Sequence, residues 1–253
     1  MPASDWPYLD HPGILAFAHR GGAEEAPENT MAAFAAAVAL GYRYLETDVH
    51  VTADGVLVAF HDEVLDRVTD RTGRIDELPW SEVSRARVEG GEGVPLLEDL
   101  LGTFPDARIN IDPKHDSAVE PLAEVLRRTN AVERVGVGSF SDRRLADLRL
   151  RLGSDLCTSL GPKGIARLML AGRGVPVGRF AAACAQVPVR ARDRVVVTDR
   201  RFVDAAHRRG MQVHVWTVDD PAEMHRLLDL GVDGLMTDRP SVLKQVLESR
   251  GLW

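Results

Sequence analysis

The chain has 253 residues and a mass of 27.7 kDa, a length that suits either one α/β barrel or two smaller domains. Its net charge is −7 and no basic run stands out, so the composition argues against a nucleic-acid partner. No stretch approaches the ~18 apolar residues of a membrane span, and residues 1–10 lack the apolar segment of a secretory signal. We therefore expect a cytoplasmic protein without stable membrane insertion, and its oligomeric state stays open.

Short apolar runs alternate with amphipathic stretches along most of the chain. The runs that we predict as strands are 14–18, 44–51, 56–60, 108–111, 135–140, 155–160, 212–218 and 234–237. The stretches that we predict as helices are 29–40, 117–130, 142–152, 165–171, 199–209, 221–230 and 240–250. Segment 181–187 fits either a strand or a helix. Segment 62–95 is rich in glycine and proline, which indicates an inserted loop region with one short helix near 81–88.

This alternation amounts to eight β/α units once segment 56–60 is treated as a hairpin extension of the second strand. Eight such units favour a closed parallel barrel, the TIM (β/α)8 fold, with a small insertion after the second strand. An open, doubly wound sheet is the alternative, but the G-x-G-x-x-G pattern of dinucleotide-binding sheets does not follow the first strand. We predict one barrel domain over residues 1–253, with its insertion at about 62–95.

Charged and imidazole side chains follow the first three strands at the point where each strand ends. They are His19 and Arg20 after the first strand, Glu46, Asp48 and His50 on the second, His61 and Asp62 after its extension, and Asp112 and Lys114 after the third. The active site of a parallel α/β barrel lies at the carboxyl ends of its strands. These side chains are therefore expected to meet at one end of the barrel.

Two carboxylates, Glu46 and Asp48, are two residues apart and so point to the same side of a strand. Like charges this close repel each other unless a positive group lies between them. Oxygen ligands suit a hard cation such as Mg²⁺ or Ca²⁺, and Asp112 at the end of the next strand could supply a third carboxylate. We predict one divalent cation here; the alternative is a set of salt-bridged barrel residues.

Two histidines and two cations complete the predicted site. Imidazole titrates near pH ~6.5, so His19 and His61 are candidate proton carriers, while the case for His50 is weaker. Arg20 and Lys114 are the candidate phosphate ligands, because a guanidinium matches two phosphate oxygens. Arg20 could instead form an ion pair with one of the strand carboxylates. The two glycines after it would permit a sharp turn and close approach to a ligand.

These residues lie in motifs that closely resemble the glycerophosphodiester phosphodiesterase family. The motifs are the segments 19–22 (HRGG), 27–30 (PENT), 46–49 (ETDV), 61–62 (HD), 66–69 (DRVT) with Gly73, 95–99 (PLLED), 110–114 (NIDPK), 215–218 (VWTV) and 231–240 (GVDGLMTDRP). They cover nearly the whole chain in the order of the family, and their combination is very specific.

The resemblance implies a TIM barrel in which His19 and His61 act as general acid and base. It implies Glu46 and Asp48 as metal ligands, and it places Trp216 on the glycerol side of the substrate. The family usually has Glu as the third metal ligand, in an E-x-K pattern. Asp112 stands at that position here and is shorter by one methylene, which bears on the identity of the metal.

The expected function is metal-dependent hydrolysis of small glycerophosphodiesters to glycerol 3-phosphate and an alcohol. A lysophospholipase D or sphingomyelinase D activity on the same barrel is one alternative. That activity would need an apolar rim, whereas the insertion is charged, with Trp80 its only aromatic residue. The other alternative is a barrel that binds phosphodiesters without catalysis. The sequence does not indicate a particular alcohol head group.

Overall fold

The computed structural model describes residues 6–191 and 195–253. Its strands are β1 Leu15–His19, β2 Tyr44–Val51, β3 Leu57–Ala59, β4 Arg108–Pro113, β5 Val135–Val137, β6 Cys157–Thr158, β7 Cys184–Pro188, β8 Arg190–Ala191, β9 Val195–Val196, β10 Gln212–Trp216 and β11 Gly234–Thr237. Its α-helices are α1 Met31–Ala39, α2 Trp80–Val83, α3 Leu97–Thr103, α4 Val119–Arg128, α5 Asp142–Leu152, α6 Pro162–Gly172, α7 Arg200–His207, α8 Pro221–Leu230 and α9 Pro240–Ser249.

Eight parallel strands form a closed barrel in the described part of the chain. Their order is β6-β5-β4-β2-β1-β11-β10-β7. The circle is closed where the backbone of Ser159, directly after β6, pairs in parallel with Cys184 at the start of β7. Next to this pair, Leu160 N donates to the carbonyl oxygen of Cys184 at 2.9 Å. The TIM-barrel prediction is confirmed, and an open doubly wound sheet is excluded.

Four of the nine described α-helices begin at a residue whose side chain caps the helix. The side chains of Thr30, Ser141, Asp199 and Asp220 each accept a hydrogen bond from a backbone N–H in the first turn of α1, α5, α7 and α8. Helix α8 begins at a proline and ends at Gly231 in the left-handed conformation, as this sequence pattern predicts. These local signals mark where these four helices begin and where α8 ends.

The largest differences from the prediction lie around the insertion and at segment 181–187. Helix α2 ends at Val83 rather than near residue 88, because the backbone of the following residues pairs with Thr69 and Gly93 instead. Helix α3, with its short buried face of Leu97, Leu100 and Leu101, was not predicted. The ambiguous segment 181–187 supplies strand β7, and 56–60 forms β3, which pairs antiparallel with β2 as expected.

The amino-terminal segment covers the end of the barrel opposite the predicted site. Tyr8 is 1% exposed, and its backbone carbonyl accepts a hydrogen bond from the Tyr44 hydroxyl at 2.8 Å. A Cβ at Gly136 of β5 would lie 2.3 Å from the Tyr8 ring, so only glycine permits this contact. The described residues include no helix that is both long and apolar enough to cross a bilayer.

Candidate active site

A cavity of about 450 Å³ opens at the carboxyl ends of the barrel strands. It is lined by all eight residues that the sequence analysis assigned to the site, namely His19, Arg20, Glu46, Asp48, His61, Asp112, Lys114 and Trp216. The charged members come from β1, β2, β4 and the turn after β3. His50 does not line this cavity; it is buried, and its Nε2 lies 2.9 Å from the carbonyl oxygen of His61.

The turn after β1 fixes His19 and Arg20 at the rim of the cavity. Arg20 (φ 52°), Gly21 (φ 85°) and Gly22 (φ 107°) all adopt positive φ, so the chain reverses sharply here. A Cβ at Gly21 would lie 2.7 Å from the Cβ of Ala33, and one at Gly22 would lie 2.6 Å from Pro240. The close approach that requires these glycines is therefore to α1 and to the start of α9.

His19 is held between two carboxylates. Its Nδ1 donates to Asp238 Oδ1 at 2.7 Å, and its Nε2 lies 3.7 Å from Glu46 Oε2. Asp238 is fixed in turn by Asp219, whose Oδ1 accepts from the backbone N–H of Asp238 at 2.7 Å. Burial lowers the pKa of His19, but Glu46 and Asp238 outweigh it, so the pKa lies above its ordinary value.

His61 is oriented by a second carboxylate on the other side of the charged cluster. Its Nδ1 donates to Asp62 Oδ1 at 2.6 Å, and Asp62 Oδ2 accepts from Arg67 Nε at 2.5 Å. Although burial opposes it, Arg67 and His61 lower the pKa of Asp62 to about 2. Arg67 also donates to Glu28, which forms an ion pair with Arg20 at 3.2 Å. A continuous ionic chain thus links the two sides of the site.

The two predicted phosphate ligands form ion pairs with the strand carboxylates. Lys114 Nζ lies 2.5 Å from Asp48 Oδ1 and 2.9 Å from Asp112 Oδ2, and Arg20 Nε lies 3.3 Å from Asp48 Oδ2. Burial raises the pKa of Asp48, but Lys114 and Arg20 outweigh it and bring the pKa below its ordinary value. The ion-pair alternative for Arg20 therefore applies to Asp48, and both cations also line the cavity.

The carboxylate set has the chemistry of a divalent-cation site. Asp48 Oδ2 and Asp112 Oδ1 are buried without a hydrogen-bond partner. Burial, and then the charge of Asp48, raise the pKa of Glu46 well above its ordinary value. A cation would relieve all three conditions. Within residues 6–191 and 195–253, no three acidic, histidine or cysteine side chains stand close enough together to hold a metal as they lie, and Lys114 occupies the space between Asp48 and Asp112.

Several residues of this site were not assigned a role from the sequence. Asp238, Glu28 and Arg67 all belong to the family motifs. Nothing local indicates that Asp238 contacts His19, that Glu28 contacts Arg20, or that Arg67 joins Asp62 to Glu28. On the cavity floor, Gln186 of β7 donates to Asn110 of β4 at 2.7 Å. These partners come from strands and loops that only barrel closure brings together. Trp216 meets Phe140 edge-to-face, with ring centroids 5.7 Å apart.

The fold and the site together define a barrel enzyme with paired histidine–carboxylate groups and clustered cations at one cavity. Residues 19–242 match the model of the glycerophosphoryl diester phosphodiesterase family. The chain is 44% identical to the probable glycerophosphodiester phosphodiesterase 2 of Mycobacterium tuberculosis, over 97% of this chain and 95% of that protein. The chain belongs to the glycerophosphoryl diester phosphodiesterase family and is an enzyme of that class.

Two further relatives illustrate the range of the family. The crystal structure of a glycerophosphodiester phosphodiesterase from Agrobacterium tumefaciens superposes with a TM-score of 0.77 at 27% identity, covering 92% of this chain and 99% of that one. A human protein named lysophospholipase D is 28% identical, over 91% of this chain and 85% of that protein. The first agrees with the barrel described above; the second shows that a relative of this chain carries the name of the alternative activity.

Proposed function

We propose that this enzyme hydrolyses glycerophosphodiesters to glycerol 3-phosphate and an alcohol by metal-assisted general acid–base catalysis with two histidines. The observation that carries the proposal is the pairing of His19 with Asp238 and of His61 with Asp62 around one cavity that also contains Arg20 and Lys114. In each pair the carboxylate engages Nδ1 and leaves Nε2 for proton transfer.

The reaction needs one proton removed and one proton returned. One histidine takes the proton of the attacking oxygen, which belongs to water or to the neighbouring glycerol hydroxyl, and the other protonates the leaving alkoxide. If the glycerol hydroxyl attacks, water then opens the cyclic phosphate. Arg20 and Lys114 neutralise the phosphate oxygens as charge redistributes in the transition state.

Glu46, Asp48 and Asp112 would hold one divalent cation, Mg²⁺ or Ca²⁺. Such a cation supplies Lewis-acid stabilisation of the phosphoryl oxygens. The support for it is the oxygen-only donor set and the two buried oxygens, Asp48 Oδ2 and Asp112 Oδ1, that accept no hydrogen bond. Trp216 would contact the glycerol moiety from the opposite wall. We also propose that the enzyme acts in the cytoplasm.

The proposal is tested by measuring release of glycerol 3-phosphate from glycerophosphocholine with Mg²⁺, Ca²⁺ and Mn²⁺ separately, and in excess chelator. We expect activity with at least one metal and its loss in chelator. The variants His19→Ala and His61→Ala should each lower kcat by roughly 10²–10⁴-fold, the range for general acid–base groups. His225→Ala serves as the matched control, because this histidine lies on α8 outside the cavity.

Each part of the proposal has its own contradicting result. Near wild-type turnover in both histidine variants would exclude their catalytic role, and undiminished activity in chelator would exclude the metal. If glycerophosphodiesters with different head groups all yield no glycerol 3-phosphate in the presence of metal, the result would favour a barrel that binds phosphodiesters without catalysis.

A further inference from the structure

Positive charge is concentrated in one part of the chain. Segment 162–209 contains eleven lysine and arginine residues but only three aspartates and no glutamate, a net charge of +8, so the rest of the chain carries −15. These cations are spread along the segment rather than gathered in a run. The Debye length is only about 8 Å at physiological ionic strength, so a partner on this side of the barrel is governed by the local charge rather than by the net charge of the chain.

Helices α6 and α7 form the centre of this positively charged surface. They pack closely, since a Cβ at Gly172 of α6 would lie 2.9 Å from the carbonyl oxygen of Arg201 on α7. The cations of α6, β8 and α7 with its C-terminal cap are exposed, and they form no salt bridge with a carboxylate in the described part of the chain. We define the basic face by these six residues, Lys163, Arg167, Arg190, Arg200, Arg201 and Arg208.

Exposed apolar side chains lie among these cations. On α6, Lys163, Arg167 and Leu170 are spaced by four and three residues, so they share one exposed stripe of the helix. On β9, Val195 is 52% exposed and Val196 is 39% exposed. The outer side of a surface helix normally carries polar residues, so aliphatic side chains exposed on several elements of one face indicate an interaction surface.

The basic face borders the mouth of the cavity. Pro162 and Ala191 line the cavity, and each is adjacent in sequence to an exposed cation of the basic face, Lys163 and Arg190. Strand β8 pairs antiparallel with β9, in a register that places Val195 beside Ala191. Cations and an exposed aliphatic side chain thus stand together at one edge of the mouth.

We propose that the basic face, with the exposed aliphatic side chains among its cations, docks the enzyme reversibly on the surface of an anionic lipid bilayer. Anionic headgroups attract the cations, while the aliphatic side chains enter the boundary between headgroups and acyl chains. Nucleic acid would offer phosphates but no apolar layer for valine and leucine side chains. The contact holds the mouth of the cavity beside the headgroups and leaves the choice of diester open.

Co-sedimentation of the full chain with vesicles tests this docking. Vesicles of phosphatidylcholine alone are compared with vesicles that also contain phosphatidylglycerol, at low and at high salt. We expect binding to the anionic vesicles, little binding to the neutral ones, and weaker binding as the salt concentration rises. Equal binding to both kinds of vesicle, or binding to neither, overturns the proposal. Because binding is measured without substrate, the outcome is independent of the proposed hydrolysis.

Neutralising two cations at the mouth tests the assignment to this face. Lys163→Gln/Arg190→Gln should weaken binding to anionic vesicles roughly 25-fold, because each cation near such a surface contributes roughly fivefold. Arg43→Gln/Arg85→Gln removes the same charge from two exposed arginines outside the basic face and should bind as the wild type does. Equal affinities of the two double variants overturn the assignment. The circular dichroism spectrum and melting temperature establish that each variant folds, and the wild-type comparison decides if one does not.

The apolar contribution has its own pair of variants. Val195→Ser should reduce the binding that remains at high salt, where the electrostatic attraction is screened. Val38→Ser changes a valine that is 38% exposed on α1, outside the basic face, and should leave this binding unchanged. Equal binding of the two variants at high salt would contradict the contact of Val195 with the bilayer.

Two further measurements separate the bilayer from other partners. A short duplex DNA is added to the anionic vesicles at equal phosphate concentration, and the chain without vesicles is examined by sedimentation velocity. We expect no displacement by DNA and no dimer that dissociates in Lys163→Gln/Arg190→Gln. Displacement would identify a general polyanion site and such a dimer would identify a second copy, and either result overturns the bilayer as the partner.

Discussion

At the scale of single residues, each histidine of the site is paired with a carboxylate, and only one of these two carboxylates is close to its histidine in sequence. Asp62 is adjacent to His61, but Asp238 is 219 residues away from His19. The sequence analysis placed Asp238 in a family motif, directly after the predicted strand 234–237, without giving it a role. Asp219 holds its backbone, so this carboxylate is fixed before substrate arrives.

Asp238 is expected to act by positioning His19. In Asp238→Asn the amide can accept a hydrogen bond but carries no charge, so the imidazole loses its electrostatic partner. We expect kcat to fall by roughly 10²-fold, within the range for an impaired general acid or base, with little change in melting temperature. Asp233→Asn is a comparison, because Asp233 pairs with His207 outside the cavity at 2.8 Å. Wild-type kcat in Asp238→Asn would contradict the role.

Lys114 provides a way to examine the metal through stability. Its side chain is 23% exposed and neutralises two buried carboxylates, so Lys114→Met should cost roughly 3 kcal/mol, the lower end for breaking a buried ion pair. If Glu46, Asp48 and Asp112 hold a cation, added Mg²⁺ or Ca²⁺ should raise the melting temperature of the variant more than that of the wild type. Lys244→Met, on α9, is the control. The absence of any metal-dependent shift in either protein would argue against the site.

At the scale of elements, the turn between β1 and α1 is shaped by its own packing against α1 and α9 rather than by the need to approach a substrate. Gly22 is required at this position for two reasons: its φ of 107° and the 2.6 Å approach of Pro240 to its Cβ position. The sequence motif indicated a sharp turn, which the structure has. The contact with the first residue of α9 lies 218 positions away and could not be read from local pattern.

The steric part of this requirement can be isolated. Like Gly22, Gly55 has a positive φ, here 86°, but a Cβ at this position would lie in open space. Gly55→Ala therefore measures backbone strain alone. Gly22→Ala adds the clash with Pro240, and we expect it to lose roughly 1–3 kcal/mol more in the free energy of unfolding than Gly55→Ala. Urea unfolding of both variants measures this difference. Equal losses would mean that the turn moves freely away from α9.

At the scale of the whole molecule, all three tyrosines of the chain are buried, at Tyr8, Tyr42 and Tyr44. Two of them close the amino-terminal end of the barrel. Tyr42 donates to the carbonyl oxygen of Pro240 at 2.7 Å and also contacts Trp253, with ring centroids 5.1 Å apart. Burial raises the pKa of all three phenols above their ordinary value. The folded protein therefore keeps three protons that the unfolded chain releases.

This difference gives a pH dependence with a definite sign. Above pH ~10 the unfolded state binds fewer protons than the folded state, so stability is full below this pH and falls as pH rises. Each tyrosine contributes a loss of about 1.4 kcal/mol per pH unit while the folded state stays protonated. Ultraviolet titration should show less tyrosinate at pH 10.5 in the native protein than in urea. Tyr42→Phe should reduce the slope of stability against pH by the contribution of one tyrosine, about 1.4 kcal/mol per pH unit. Native titration near pH 10 would contradict the burial of these rings.

Much of this molecule was determined by sequence alone. The alternation of apolar runs and amphipathic stretches specified the barrel, and the polar residues after its first strands specified which side chains share a cavity. These features depend on local periodicity and on the fixed end of a parallel barrel at which its loops form the site. Helix α3 was not predicted because only three of its residues form the apolar face, which is too few to show a helical period.

Tertiary structure alone decided how those side chains are paired and what faces them. The position of Lys114 between Asp48 and Asp112 depends on the register of β2 with β4, in which the two aspartates are direct neighbours. The pairing of His19 with Asp238 depends on closure of the barrel, and so does the apolar lining by Leu160, Ile165 and Trp216 on the other side of the cavity. Sequence periodicity specifies the face and the end of an element, whereas register and closure follow from the packing of all eight strands together.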